Sequence, residues 1–332
     1  MATIRDVAKM AGVAPMTVSR VLNQPEMVAP ETKNAIEKAI KELHYVPNRI
    51  GQGLRNKQTM VIALVVSDIS NPFGIQQVLG VNQAALNKGF SVVFVHTNAS
   101  AEVEMSQLLK LVERRVDGIV LSPVLNTPDA TDFIKRQGLP VVVLDYPMPQ
   151  NDVDIVRCDS VEIGKTLTDH LISLGHTNIA MLSGPKEIVT AKERAEGYEI
   201  AMKSAGLSPS VFYGEYSADS GFQMAQKALA SDSKPTAFVT ANNFIALGAA
   251  RGVTDMGLEI PLDISITTCD SVGEDIVFDP FFTALNQPVN KIASIATEML
   301  IERINGEFQG PGREVILESS FVEHHSTGQL KS

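Results

Sequence analysis

Cysteine is scarce: Cys158 and Cys269 are the only two among 332 residues, far apart and in apolar surroundings. That excludes a disulfide-stapled scaffold. With no C-x-x-C and no His/Cys cluster, no zinc site is expected either, and two reduced, buried thiols are the expected state. Long apolar runs are also missing. The longest are short and strand-like, such as Val141–Leu144, and the N-terminal MATIRDVAKMAG lacks a charged segment leading into an apolar one. Neither a membrane span nor a secretion signal is therefore expected, and the protein should stay in the cytoplasm. Hydrophobic residues at 44% and charged residues at 20% argue against long disorder. Catalytic signatures are lacking too: there is no G-x-x-x-x-G-K-[ST], no G-x-G-x-x-G after a strand, no H-E-x-x-H and no G-x-S-x-G. The six histidines are scattered apart from His324–His325, a pair that suits a surface strand end better than a metal tract. No enzymatic activity and no cofactor are expected.

What is present begins with an uneven charge. The net charge is −10, yet residues 1–60 hold nine Lys and Arg against five Asp and Glu, a local +4 that leaves −14 for the remainder. A basic head on an acidic body fits a chain whose N-terminal piece alone meets phosphates, although a solvated basic face has the same composition.

Within that head, Thr3 and Asp6 form a T-x-x-D helix start, and Ile4, Val7, Ala8 and Ala11 follow the spacing of a short helix with one buried face, ended by Gly12. A second helix starts at Pro15, a residue suited to the first helical position, and buries Val18, Val21 and Leu22. Its opposite stripe is Met16, Ser19, Arg20 and Asn23. A third helix, from about Glu31 to Leu43, buries Ile36, Ala39, Ile40 and Leu43. Two short helices joined by a tight turn, with a third behind, is helix-turn-helix spacing, in which the second helix enters the DNA major groove. A three-helix packing module with a polar outer face has the same periodicity.

The residues themselves narrow that choice. TIRDVAKMAGV, MTVSRVLN and VAPETKNAIEKAIKELHYVPN, in this order and spacing, resemble the headpiece of the LacI/GalR family of bacterial transcription regulators, and AIKELHY is especially close to its purine-responsive members. The resemblance implies that Pro15, Met16 and Arg20 read base edges, while Thr3, Thr17, Ser19, Asn23 and Thr32 position the backbone. The chemistry is consistent with that split, since Arg20 can donate twice to guanine whereas Met16 offers apolar contact to a thymine methyl. Ala14 departs from the serine common at this place, which forgoes a cap worth ~0.5 to 2 kcal/mol, with Pro15 offsetting part. Residues 47–59 read generically as a polar linker. The resemblance implies instead a short hinge helix that pairs with its dimer mate in the minor groove, with Leu54 as the inserted wedge and Asn48 and Arg55 on the backbone. Gly51 and Gly53 depart from the family pattern. Each costs ~1 kcal/mol of helix propensity, so the hinge is expected to form only on DNA.

From Thr59 onward, Val- and Ile-rich runs alternate with helical stretches: Val61–Val66, Ser91–Val95, Gly118–Leu121, Val141–Leu144, Ile155–Arg157, Ile179–Leu182, Ala237–Thr240 and Ile264–Thr267. Continuous apolar strands between helices indicate parallel sheets covered on both faces. The expected fold is thus an all-α helix-turn-helix headpiece followed by an α/β core of doubly wound parallel-sheet lobes. The resemblance implies two lobes of periplasmic-binding-protein type: headpiece 1–46, hinge 47–59 and core 60–332, with lobe 1 at about 60–157 and 288–318 and lobe 2 at about 158–287 and 319–332.

Ligands of open parallel sheets bind beyond the carboxyl ends of the strands. The residues at those ends here are Phe73, Asp145-Tyr146, Gly184-Pro185, Tyr216, Asn242-Asn243 and Asp270, with Thr190, Lys192 and Arg194 after Gly184. Carboxylates and amides suit hydroxyls, and the rings suit the apolar face of a sugar or a planar base. Arg194 matches the arginine of the family's R-x-x-G-[FYW] motif, here RAEGY. Gly74 stands where many relatives carry a second aromatic and is expected to leave space. Ile188 replaces a polar residue of the purine-responsive members, which disfavours a purine. Lys192 beside Arg194 favours an anionic group, so the expected effector is a sugar, sugar acid or sugar phosphate. The expected partners are this effector, a pseudo-palindromic double-stranded DNA operator and a second copy of the chain, with no membrane. The alternatives are a free-standing sugar-binding protein and an enzyme acting on sugars, the latter with Asp145 and Asp270 as an acid/base pair.

Overall fold

A computed structural model describes residues 2–46, 58–125, 127–148, 152–232, 234–271 and 281–330, except for the side chain of Asn23. The chain forms two compact units, Met1–Thr59 and Met60–Ser332.

The first unit is helical. Helix α1 (Ile4–Ala11) opens with a reciprocal cap: Asp6 N donates to Thr3 Oγ1 at 3.4 Å, while Thr3 N donates to the Asp6 carboxylate at 2.8 Å. Gly12, in the left-handed conformation, ends it. Helix α2 (Pro15–Asn23) starts at Ala14 with no side-chain cap, and Pro15 occupies its first turn. After a 3-10 turn at Pro25–Met27, helix α3 (Pro30–Glu42) also begins on a proline, one residue ahead of the start expected from the sequence. Val7, Ala8, Val18, Val21, Ile36 and Ala39 are the buried core. At ~1.5 to 3 kcal/mol for each large side chain, this small set is what holds the three helices together.

The second unit contains two six-stranded sheets. Strands β1 (Val61–Val66), β2 (Ser91–His96), β3 (Gly118–Leu121), β4 (Val141–Leu144), β5 (Asp154–Cys158) and β11 (Glu314–Leu317) form the first, all parallel, in the order β11-β5-β4-β3-β1-β2. Strands β6 (Ile179–Ser183), β7 (Val211–Tyr213), β8 (Ala237–Thr240), β9 (Ser265–Cys269), β10 (Thr283–Asn286) and β12 (Ser320–Val322) form the second, in the order β12-β10-β9-β8-β6-β7. Its edge strand β12 runs antiparallel to β10, so this sheet is mixed where the sequence suggested a purely parallel one. The central strands are buried along their whole length, as both-face coverage demands.

Helices α4 (Pro72–Asn87), α5 (Ala101–Glu113), α6 (Asp129–Arg136) and α11 (Val289–Ile304) belong with the first sheet. Helices α7 (Ser160–Ser173), α8 (Val189–Ser204), α9 (Ala218–Leu229) and α10 (Asn243–Asp255) belong with the second. The chain passes between the lobes three times, after β5, after β10 and after β11. A buried ion cluster pins the first-sheet side of these crossings. Asp154 on β5, wholly buried, receives Arg303 of α11 through two 2.7 Å hydrogen bonds and Arg313 at 2.9 Å, and Arg313 stacks on Phe308 at 3.9 Å.

Candidate functional site

On the first unit, Arg20 and Met16 lie on the outward stripe of α2, and Met16 is 65% exposed. Pro15 is exposed beside them, and Thr17, Ser19 and Thr32 are half-buried. Thr3 is exposed, with its hydroxyl donating to Asp6 at 2.7 Å. The exposed residues of α2 thus offer a guanidinium donor and an apolar tip. Asn48, Leu54, Arg55 and the side chain of Asn23 lie outside the described residues.

On the second unit, a cavity of about 650 Å³ opens between the carboxyl ends of the two sheets. Its size is within the ~300 to 1,000 Å³ range of small-molecule sites. The first lobe contributes Phe73 from the start of α4, His96 and Ser122 from the ends of β2 and β3, and Asp145 and Tyr146 from the end of β4. The second contributes Thr190 and Arg194 from α8, Tyr216, Asn242 and Asn243 at the start of α10, Asp270 after β9 and Gln287 after β10. Of the effector residues expected from the sequence, Phe73, Asp145, Tyr146, Thr190, Arg194, Tyr216, Asn242 and Asp270 are thereby brought together.

Asp145 and Asp270 are matched positions. Each follows a buried strand, adopts a left-handed backbone (φ 67 and φ 58), and donates its N–H to the next strand, to Val156 O at 3.0 Å and to Leu285 O at 3.1 Å. These main-chain bonds fix a conformation that costs a non-glycine residue ~1 to 3 kcal/mol. Asp270 is held further by Gln287, whose backbone and side-chain nitrogens both donate to its carboxylate at 2.9 Å. Desolvation in the cleft pushes the Asp145 carboxyl up to about 7, with Asp270 and Glu193 adding to the rise against the pull of Arg194. Burial works against the Arg194 charge, yet the acidic groups around it, Cys269, Tyr216, Asp145 and Asp270, raise it, and it stays a cation. Its Nη1 donates to Ala241 O at 2.8 Å, and its Nε has no partner among the described residues. Gln77 Nε2, His96 Nε2 and Gln287 Oε1 are likewise buried cavity-lining atoms without partners among the described residues.

Two expectations need correction. Lys192 is exposed and does not line the cavity, because it sits about 200° around the helix from Thr190, while Thr190 and Arg194, four apart, share one face. The case for an anionic effector that rested on it is lost. Gly74 does line the cavity, but its lack of a side chain is required by packing and not only by a ligand. A Cβ there would lie 2.0 Å from the carbonyl oxygen of Asp68, so the glycine serves the close approach of α4 to the loop after β1.

Several cleft residues were not anticipated. Gln77 lies one helical turn beyond Phe73, a spacing that could have revealed it. Asn71 pairs its side-chain amide reciprocally with Asn243 across the two lobes, at 2.9 and 3.3 Å, a long-range match with no local signal.

The comparisons with known proteins divide the chain at the same place. Residues 3–48 match the family described as bacterial regulatory proteins, lacI family, and residues 59–325 the one described as periplasmic binding proteins and sugar binding domain of LacI family. The chain is similar to the HTH-type transcriptional repressor PurR of Pasteurella multocida, 35% identical over 309 residues and 92% of each chain. It is also similar to the lac repressor dimer bound to operator and the anti-inducer ONPF, with a TM-score of 0.88 at 28% identity over 98% of this chain and 99% of that one. The transcriptional regulator CelR in complex with cellobiose gives a TM-score of 0.74 at 32% identity, over 98% and 100% of the two chains.

Proposed function

Since the chain belongs to the LacI family of bacterial transcription regulators, we propose that it binds a pseudo-palindromic operator as a homodimer and that a small sugar in the interlobe cleft sets its operator affinity. It is a DNA-binding transcriptional repressor with a ligand-binding core. The observation that carries the reading is one chain holding both parts: a helix-turn-helix unit with Met16 and Arg20 exposed, and a cleft where carboxylates, amides and an arginine meet Phe73, Tyr146 and Tyr216. Carboxylates and amides take up hydroxyls while rings cover an apolar sugar face.

One headpiece spans a half-site, so two copies read two half-sites about one helical turn apart. Leu54 is the minor-groove wedge, with Asn48 and Arg55 on the flanking phosphates. The molecule works in the cytoplasm, on the nucleoid when operator-bound, and turns over no substrate. Asp145 and Asp270 serve as sugar-hydroxyl acceptors in place of an acid/base pair. The neighbour holding cellobiose supports a sugar, and Ile188 on the cleft wall counts against a purine.

The test is to titrate the protein with ribose, glucose, cellobiose and hypoxanthine while following thermal stability and binding to an operator obtained by selection. A sugar that stabilises the core and shifts operator affinity in either direction is the expected result. A nucleobase acting where no sugar does overturns the effector class, and failure to select any operator overturns the DNA role.

A further inference from the structure

The cleft atoms without partners among the described residues are of both kinds. Gln77 Nε2 and Arg194 Nε need acceptors, Gln287 Oε1 needs a donor, and the three residues are 2%, 6% and 7% exposed. A hydroxyl group supplies both roles from one atom, whereas a phosphate or carboxylate oxygen only accepts. The charge around these atoms is one-sided. Asp68, Asp145, Glu187, Glu215 and Asp270 all line the cavity, and Arg194 is the only Lys or Arg among the described lining residues. That single cation already faces Asp145 and Asp270, whose charges act on it directly. Glu187 and Glu215 are exposed on the second lobe, where an entering ligand meets them, and Asp68 is half-buried on the first. The lysines close to lining residues in sequence are not in the lining. Lys186 stacks on the Tyr213 ring at 4.7 Å, and Lys192 is turned to solvent on α8.

We infer that the cleft selects an uncharged polyhydroxy effector and rejects the phosphorylated and acid forms of the same sugar, with Glu187 and Glu215 as the residues that set this discrimination. The inference rests on the sugar-effector reading and narrows it. An anion entering here leaves its hydration shell for a rim of like charge, and the one cation among the described lining residues, Arg194, already lies in the fields of Asp145 and Asp270. A cationic sugar gains from the rim but brings its ammonium toward Arg194.

The experiment is calorimetry on the full-length protein with matched sets: ribose and ribose 5-phosphate; glucose, glucose 6-phosphate, gluconate and glucosamine. The free sugar of the preferred set is expected to bind at least tenfold more tightly than its anionic forms. The discrimination should shrink severalfold between ~50 mM and ~500 mM salt, because exposed carboxylates are screened. In Glu187→Gln/Glu215→Gln the affinity ratio of phosphorylated to free sugar should rise about tenfold. Should the double variant fail to bind operator or melt cooperatively, Glu187→Gln alone and the salt series on the unaltered protein carry the same test. A phosphorylated, acid or amino sugar binding better than the free sugar overturns the inference while the sugar reading stands. A ratio unmoved by both salt and substitution removes Glu187 and Glu215 from the role. No binding of any sugar in any form overturns both readings at once.

Discussion

Of the two aspartates in left-handed backbone conformation, one at the end of a buried strand in each lobe, Asp145 ties a measurable pH dependence to a single residue. Desolvation raises the Asp145 carboxyl from 3.8 to about 7, so between those values the ligand-free native state holds a proton that the unfolded chain has released. Stability therefore falls as pH rises through this window and levels off above it. Asp145→Asn lacks the ionisation, and its melting temperature relative to the parent should climb by a few degrees from pH 5 to pH 8. A constant gap across that range would mean that the carboxyl is already ionised in the native state at pH 5. Arg20 gives the corresponding prediction on the helical unit. Its guanidinium is exposed on α2, and Arg20→Ala should lose ~1 to 3 kcal/mol of discrimination at one operator position, read as a flattened preference there in a binding selection. An unchanged base profile would show that Arg20 touches only the backbone.

Elements decide how well such residues are placed. Helices α7 and α8 approach backbone to backbone: a Cβ on Gly164 would lie 2.0 Å from Arg194 O, and one on Gly197 would lie 1.9 Å from Val161 O. This contact seats the helix that carries Thr190 and Arg194. Gly197→Ala must drive the pair apart, at a cost of ~1 to 3 kcal/mol or more in denaturant unfolding, with a parallel loss of effector affinity. Retained affinity in a destabilised variant would separate packing from site placement. In the first lobe, Asp154 joins β5, α11 and the entry to β11 through Arg303 and Arg313. Asp154→Ala should cost on the order of 3 kcal/mol, the low end for a broken buried pair because both guanidiniums keep some solvent access. The Asp154 carboxyl is pushed up by burial, but hydrogen bonds from Arg303 and Arg313 win and hold it below its ordinary value. Its contribution is thus present at neutral pH and lost as pH falls through the acidic range.

The same scale explains how much the sequence discloses. Central strands such as Val61–Val66, Gly118–Leu121 and Ala237–Thr240 are continuous apolar runs and were legible to the residue. Strands β7, β11 and β12 are half-exposed edge strands of only three or four residues, too short for a periodic pattern to show. Site residues directly after strands were legible in part: Asp145, Tyr146 and Asp270 were expected, whereas Ser122 after β3 and Gln287 after β10 were not. Lys192 misled because adjacency in sequence is not adjacency on a helix, and the Asn71–Asn243 pair joins positions 172 apart whose contact only the tertiary fold creates.

At the scale of the whole molecule, the acidic body and basic head put the two functions on separate surfaces of one chain, with the −14 of the remainder far exceeding the +4 of residues 1–60. Operator binding should therefore depend steeply on salt through the headpiece contacts alone. Effector binding in the cleft and operator binding at the headpiece are then coupled only through conformational equilibria, and such coupling is reciprocal. A factor of about 5 to 150, or ~1 to 3 kcal/mol, is the usual range. The factor by which saturating effector changes operator affinity should equal the product of the factors by which saturating operator changes effector affinity at the two clefts of the dimer, and the two titrations measure it independently. Charge selection in the cleft adds a sharper form of the same test. Glu187→Gln/Glu215→Gln alters which sugar binds without touching the headpiece, so each sugar that still occupies the cleft should obey the equality with its own factor. A sugar that changes operator affinity while operator leaves its binding unchanged would place its action outside the cleft.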